Sequence, residues 1–287
     1  MSYVRIIHLD TETIMVVDAH LHVWRSVPNY PEPTSTTVSP LCDIPVELFA
    51  EYMNEHGVDR GVLVQPLYPG EDNSYVADCA ARDPNRFKAV CVVDPRKPQA
   101  NERLEYWVQE HGCKGLRLRP KLSGEATAFG HSSSYPLWEA ARRLGVVINV
   151  LTGPEHLITV SSLAMRFPEV PILIDHMGHP NIVAGIQPPP FRSLLRLAKF
   201  PNVYVKVSGY YYYSHQPYPH SDCEDLFKAV YDQFGPARLI WGSDFPHVLL
   251  KSSYRRTLLW LDRSFQFLNP KELKMILGEN AARLYWE

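Results

Sequence analysis

Asn202-Val203-Tyr204-Val205-Lys206-Val207-Ser208-Gly209 sets three valines on one parity and Tyr204, Lys206 and Ser208 on the other. Successive side chains of a strand point to opposite faces, so this run reads as one strand with an apolar and a polar face. Seven further β-rich apolar runs give it context: 15–24, 60–66, 87–95, 112–120, 145–153, 171–178 and 238–247. Helical spacing fills the intervals, as in 46–56, 101–111, 137–144, 223–234 and 254–268. Strand and helix alternating eight times predict an α/β protein, a (β/α)8 TIM barrel with residues 1–287 in a single domain. In such a barrel the valines of 202–209 face the helices and the polar parity faces inward. Helices near 270–277 and 280–286 would close or cover it.

The connections give the barrel a direction. Helix-to-strand turns are short, as at Gly57-Val58-Asp59, Asp83-Pro84-Asn85, Phe200-Pro201 and Gly235-Pro236. Strand-to-helix connections are long and rich in Pro, Tyr and His: 25–43, 121–134, 179–190 and 210–221. Long loops on the C-terminal rim are where such barrels build active sites.

Bulk properties exclude several classes. With 29 basic and 31 acidic residues the net charge is −2, and no basic stripe calls for nucleic acid. No apolar run has membrane-spanning length, so no membrane partner is expected. The first fifteen residues carry His8, Asp10 and Glu12 and lack the apolar core of a secretory signal. Cys42, Cys79, Cys91, Cys113 and Cys223 form no Cys-x-x-Cys pair and read as reduced thiols in a cytoplasmic protein. A small-molecule substrate is the partner this leaves, with a homo-oligomer left open.

Parity then sorts the interior. In 15–24 the expected outward face is Val17, Ala19, Leu21 and Val23, and the inward face Asp18, His20 and His22. Arg117 and Arg119 share the inward parity of 112–120. Ile172, Ile174 and His176 share one face of 171–178, and Ile240, Gly242 and Asp244 one face of 238–247. Buried ionisable groups are costly unless paired or functional, and a convergent set from five strands favours function. His20 and His22, two apart on a strand, suit a shared metal or two hydrogen-bond donors to one substrate oxygen. For Lys206 and Arg117 the alternative is simple pairing with Asp18 inside the barrel.

Val17-Asp18-Ala19-His20-Leu21-His22, Ile174-Asp175-His176-Met177-Gly178, the 202–209 run and Trp241-Gly242-Ser243-Asp244-Phe245-Pro246-His247 resemble one known group. It is the amidohydrolase-related branch that contains sugar lactonases and 2-pyrone-4,6-dicarboxylate hydrolase. The resemblance spans nearly the whole chain. It implies hydrolysis at His20, His22, His176 and Asp244, with Asp244 as the general base that activates water. Two departures bear on cofactors. Metal-bearing members usually have a His on strand five and often a Lys or Glu on strand four. Here strand five reads Ile148-Asn149-Val150-Leu151-Thr152 and strand four carries Arg119, whose fixed charge opposes a divalent cation. No metal is therefore expected to be required, although His20, His22, His176 and Asp244 could hold one zinc ion.

The resulting expectation is a lactonase-like hydrolase acting on a lactone or related cyclic carbonyl compound. Asp244 activates water, and the histidines with Arg119 stabilise the oxyanion. Inward cations outnumber inward carboxylates, which suggests a substrate carboxylate held by Arg117, Arg119 and Lys206. Tyr210, heading Tyr210-Tyr211-Tyr212-Tyr213, is expected to stack on the substrate, or else to serve rim packing or an interface. The competing readings are a zinc-dependent decarboxylase, a lactone isomerase and a non-catalytic carbohydrate-binding barrel.

Overall fold

The apolar runs become eight short strands: β1 (Val17–Leu21), β2 (Arg60–Val64), β3 (Phe87–Val92), β4 (Gly115–Leu118), β5 (Val147–Val150), β6 (Ile172–Ile174), β7 (Val203–Val207) and β8 (Leu239–Trp241). The computed structural model describes residues 14–25, 43–66, 70–119, 128–186 and 189–287. The strands pair in parallel in chain order from β1 to β8. The ring closes just beyond the strand ends, where Asp244 N donates to His20 O and His22 N to Phe245 O, both at 2.7 Å. Of the expected rim loops, 26–42 and 120–127 lie outside the described residues, as do 1–13 and Cys42. Among the described residues no helix is long and apolar enough to cross a membrane.

The helices are α1 (Val46–His56), α2 (Ser74–Arg82), α3 (Ala100–Gln109), α4 (Tyr135–Leu144), α5 (Leu157–Arg166), α6 (Pro189–Arg196), α7 (Tyr210–Tyr213), α8 (Glu224–Phe234), α9 (Tyr254–Ser264), α10 (Pro270–Lys274) and α11 (Asn280–Tyr285). In α8, Leu226, Phe227, Val230 and Phe234 are buried and recur at helical spacing, while Glu224 and Asp225 sit in the first turn, where the helix dipole favours acids. A capping box between Asn269 and Glu272 starts α10. One turn of helix, α7, stands inside 210–221, which the sequence suggested was all loop.

Two apolar layers result. Val17, Ala19, Val62, Val64, Val90, Val147, Leu173 and Ile240 fill the barrel interior, joined by Ala281, Ala282 and Tyr285 of α11. The outward strand residues, among them Leu116, Ile148, Val203, Val205 and Val207, pack with the helices. Trp286 lies against Arg60 and Lys88, at the starts of β2 and β3, so α11 covers the N-terminal mouth.

Parity fails in two strands, each for a local reason. In β1, Val17 and Ala19 belong to the interior, and Asp18 faces out, accepting from Ser243 N at 2.9 Å and Tyr254 Oη of α9 at 3.0 Å. Asp18 pairs with Gly61 but Leu21 with Leu63, so three steps on β1 match two on β2. The extra residue is a bulge, which turns His20 and His22 inward after Ala19. In β6 the interior residue is Leu173, whereas Ile172 and Ile174 face the helices. The chain then leaves the strand through left-handed conformations at His176 (φ 53°) and Met177 (φ 51°). His176 therefore reaches the interior through a turn, and Asp175 continues the inward parity of Leu173.

Candidate active site

Above the apolar layer the interior turns polar. His20 and His22 enter from the β1 bulge, with their Nε2 atoms 3.3 Å apart. Asp244, beyond β8, has Oδ1 3.4 Å from His22 Nε2 and 3.6 Å from His20 Nε2. It adopts φ 58°, a conformation a non-glycine residue holds only where its surroundings impose it. Those surroundings include the amide bond to His20 O and Tyr211 Oη, 3.4 Å from Asp244 Oδ2. Gly242 makes the approach possible, because a Cβ there would lie 2.7 Å from His20 Cβ and 2.9 Å from its backbone nitrogen. The His176 ring packs 4.6 Å from that of His20, centre to centre, and its Nδ1 lies 2.8 Å from Ser208 Oγ of β7's end.

Beneath this group lies a fully buried ionic layer. Lys206 Nζ donates to Asp175 Oδ1 at 2.9 Å and to Asn149 Oδ1 at 3.0 Å, and stands 2.9 Å from His20 Nδ1. Arg117 Nε donates to Asp175 Oδ2 at 3.2 Å, and its Nη2 is 3.5 Å from His20 Nε2. Tyr285 Oη, rising from α11, donates to Asn149 Oδ1 at 2.9 Å. The partner of Lys206 and Arg117 is thus Asp175, not Asp18. Lys206 is at 0% exposure with its donors engaged, so it sits below the place where a substrate carboxylate could bind, against expectation.

Burial sets the charge states. Desolvation would raise the Asp175 carboxyl, but Lys206, His20 and Arg117 together hold it well below the usual carboxylate range. Burial pulls the Lys206 ammonium down while Asp175 counters it. Burial, then Lys206, drives His20 well below its ordinary value; burial, then Arg117, does the same for His22. Burial takes His176 to about 3 and, with His22 beside it, His247 to about 4. The imidazoles are neutral at neutral pH, so each has one N–H and one lone pair. His22 Nδ1 faces Val64 O at 2.7 Å, which assigns the proton to Nδ1 and leaves Nε2 an acceptor. His22 is therefore not the oxyanion donor the sequence suggested.

Arg119 Nη2 donates to Gln65 O at 2.9 Å. With Arg117 it lines a cavity of about 290 Å³ beyond the ends of β3 and β4, whose other wall includes Glu71, Asp94, Arg96 and Lys97. Arg117 is common to this cavity and the histidine cluster. Tyr210 is not brought to the site: its ring stacks on Trp260 of α9, centres 3.7 Å apart, in the outer layer. Its neighbour Tyr211 is the tyrosine beside Asp244. Sequence reasoning also passed over Asp175, Asn149 and His247. Asp175 and His247 stood inside the quoted motifs, and Asn149 had the inward parity of β5.

Two overlapping groups are of metal-binding type. His20, His176 and Asp244 offer ligand atoms within 4.8 Å of one another, and so do His22, Asp244 and His247.

The family pattern described as amidohydrolase matches residues 17–286. The chain is 29% identical over 278 residues to L-fucono-1,5-lactonase of Burkholderia ambifaria, covering 94% of both chains. It is 30% identical over 230 residues to 4-sulfomuconolactone hydrolase of Rhizobium radiobacter, covering 80% of this chain and 75% of that one. Among solved structures, an amidohydrolase from Burkholderia multivorans with zinc bound superposes with a TM-score of 0.80 at 24% identity, over 95% of this chain and 99% of the other. At that identity the likeness is one of fold.

Proposed function

The chain belongs to the amidohydrolase family and is an enzyme of the hydrolase kind, and from that premise we propose that it opens a lactone, or a related cyclic ester, bearing a carboxylate. Relatives named for lactone hydrolysis support the reaction class. The observation that carries the reading is the position of the Asp244 carboxylate, 3.4 and 3.6 Å from the Nε2 atoms of His22 and His20, with Arg117 Nη2 3.5 Å from that same His20 nitrogen.

In this reading Asp244 takes a proton from water as the water oxygen bonds to the carbonyl carbon. The Nε2 lone pair of His22 orients the same water. The carbonyl electron pair moves onto oxygen, which His20 and Arg117 stabilise. Collapse of the tetrahedral intermediate breaks the bond to the ring oxygen. That oxygen takes the proton from Asp244, and a hydroxy acid leaves. Arg119 and the cavity it lines receive the substrate's carboxylate.

A zinc ion would need the Nε2 lone pairs of His20 and His22 with Asp244, and the spacing of those atoms suits tetrahedral ligation. The charges do not. Lys206 Nζ at 2.9 Å and Arg117 Nη2 at 3.5 Å put two cations against the His20 ring. Any donor set that includes His20 therefore does not fit a tightly held divalent ion; His22, Asp244 and His247 are the residues left that would hold one, and no step is routed through it.

The test is a panel of lactones, with and without a carboxylate, incubated at neutral pH with untreated and chelator-treated enzyme. Release of acid at similar rates in both arms is expected. Turnover of none of them, or carbon dioxide in place of acid, would overturn the proposed reaction. Stoichiometric zinc, with activity lost on removal and restored on re-addition, would overturn the metal-free reading alone.

A further inference from the structure

Lys206 has three N–H bonds and three acceptors within 3.0 Å: Asp175 Oδ1, Asn149 Oδ1 and His20 Nδ1. We propose that Lys206 is a positioning residue that fixes the tautomer of His20, so that Nε2 carries the proton and presents an N–H to the substrate carbonyl. This rests on the reading of the site as a lactone-opening centre, and it adds how one of its donors is made.

Complementarity between donors and acceptors decides where the His20 proton sits. A neutral imidazole accepts at one nitrogen and donates at the other. An ammonium hydrogen at Nδ1 requires the lone pair there, which puts the proton on Nε2. His22 gives the same answer from the opposite side. Its Nδ1–H is committed to Val64 O, so its Nε2 is a lone pair, 3.3 Å from His20 Nε2. Two imidazole nitrogens meet at that distance as one donor and one acceptor, and His20 must be the donor.

Two groups favour the opposite tautomer: Arg117 Nη2, which can only donate, lies 3.5 Å from His20 Nε2, farther than the 3.3 Å of His22 Nε2, and the closer competitor is Asp175 Oδ1. It lies 3.4 Å from His20 Nδ1 and would select the opposite tautomer, with Nδ1–H donated to the carboxylate. That arrangement is the one histidines adopt when they bind a metal through Nε2. Lys206 is closer, at 2.9 Å, and also donates to Asp175. Tyr285 of α11 and Asn149 hold Lys206 from below, so the C-terminal helix reaches the reacting group through three hydrogen bonds. Without the ammonium, the His20 proton moves to Nδ1, which donates to Asp175 Oδ1. The Nε2 atoms of His20 and His22 then become lone pairs beside Asp244, and the centre gains a set of metal ligands.

The decisive measurement is long-range 1H–15N correlation on histidine-labelled, metal-stripped protein, assigned with His20→Asn and His22→Asn. In the unmodified chain the protonated nitrogen is expected to be Nε2 for His20 and Nδ1 for His22. A proton on Nδ1 of His20 overturns the proposal, whatever the lactone panel returns. The expected tautomers without lactone turnover would leave it standing and remove the substrate reading. In Lys206→Met the His20 proton is expected on Nδ1, with zinc binding by calorimetry at least about tenfold tighter. Loss of a donor made only in the transition state should lower kcat about 10²-fold with KM nearly unchanged. Lys206→Met that folds, retains the Nε2–H tautomer and binds zinc no better also overturns it. If Lys206→Met does not fold, the correlation on the unmodified chain decides alone.

Discussion

The amide of Asp244 donates to the carbonyl of His20 at 2.7 Å, tying the backbone of the carboxylate to that of the imidazole opposite it. The bond joins the last strand to the first, so barrel closure and the spacing of the reacting groups are one piece of geometry. A shift of β8 against β1 moves base and donor apart together.

Gly242 is where that geometry is most exposed to substitution. A Cβ would press on His20 Cβ at 2.7 Å and on His20 N at 2.9 Å, and backbone cannot yield as a side-chain tip can. Gly242→Ala should lose about 1–3 kcal/mol of stability by overpacking. Its kcat should fall about 10²-fold, the cost of displacing a reacting group by about 1 Å. Urea titration and steady-state kinetics check both, and an unchanged kcat would contradict the account of this contact.

Asp244→Asn preserves shape and removes proton acceptance. The folded variant should lose at least about 10²-fold in kcat. Circular dichroism confirms folding, and near-normal turnover would sink the assignment of the base.

Arg119 lines the cavity beside Arg117. Carboxylate-bearing lactones should outperform neutral analogues by a charge-assisted bond of roughly 1.5–3 kcal/mol. Arg119→Met should remove most of that preference in kcat/KM while affecting neutral lactones little. Equal kcat/KM for the two classes in the parent enzyme would refute it.

Acid should unfold the protein steeply. Burial takes His176 from 6.5 to about 3 and His247 from 6.5 to about 4. A depressed folded value gives stability that is fully present above the unfolded value and is lost as pH falls toward the folded one. Below pH 6.5 the unfolded chain binds protons that the folded chain refuses. The two groups together then cost about 2.7 kcal/mol per pH unit at full slope. His20 and His22 shift in the same direction and steepen the loss. Urea unfolding at pH 7.5, 6 and 5 measures it, and a flat stability between pH 6 and 5 would count against neutral buried histidines.

Much of the barrel was legible because parallel strands alternate regularly wherever they stay regular. In β7 the valines face the helices and Lys206 the interior, as read. In β4, Leu116 and Leu118 face out. Alternation misled where the backbone departed from the strand. The bulge in β1 put Ala19 and His20 on the same face, and left-handed turns brought in His176 and Asp244. The bulge has no glycine to mark it, and although Gly178 (φ 69°) ends the turn after β6, the left-handed residues that carry the chemistry there and beyond β8 are His176 and Asp244 themselves. Pairing was illegible for a related reason. Asp18 looked like the interior counterion until its face changed, and Asp175, two residues beyond Leu173 on the true interior parity, has that position. Tyr210 and Tyr211 could not be told apart by composition; only the direction of α7 separates the ring against Trp260 from the hydroxyl beside Asp244.

The bulge in β1 has a consequence for insertions and deletions. A regular strand cannot carry Val17 and Ala19 into the apolar stack and then present His20 and His22 on the same face. The supernumerary residue lets one strand serve both layers. Exchanging Ala19 for another small residue alters only packing. Losing it restores a regular strand but puts His20 in the place Ala19 held in the apolar stack, one step, about 3.3 Å, from its own. That exceeds any hydrogen bond's tolerance, so between Asp18 and Leu21 the length of the chain is constrained more tightly than its spelling.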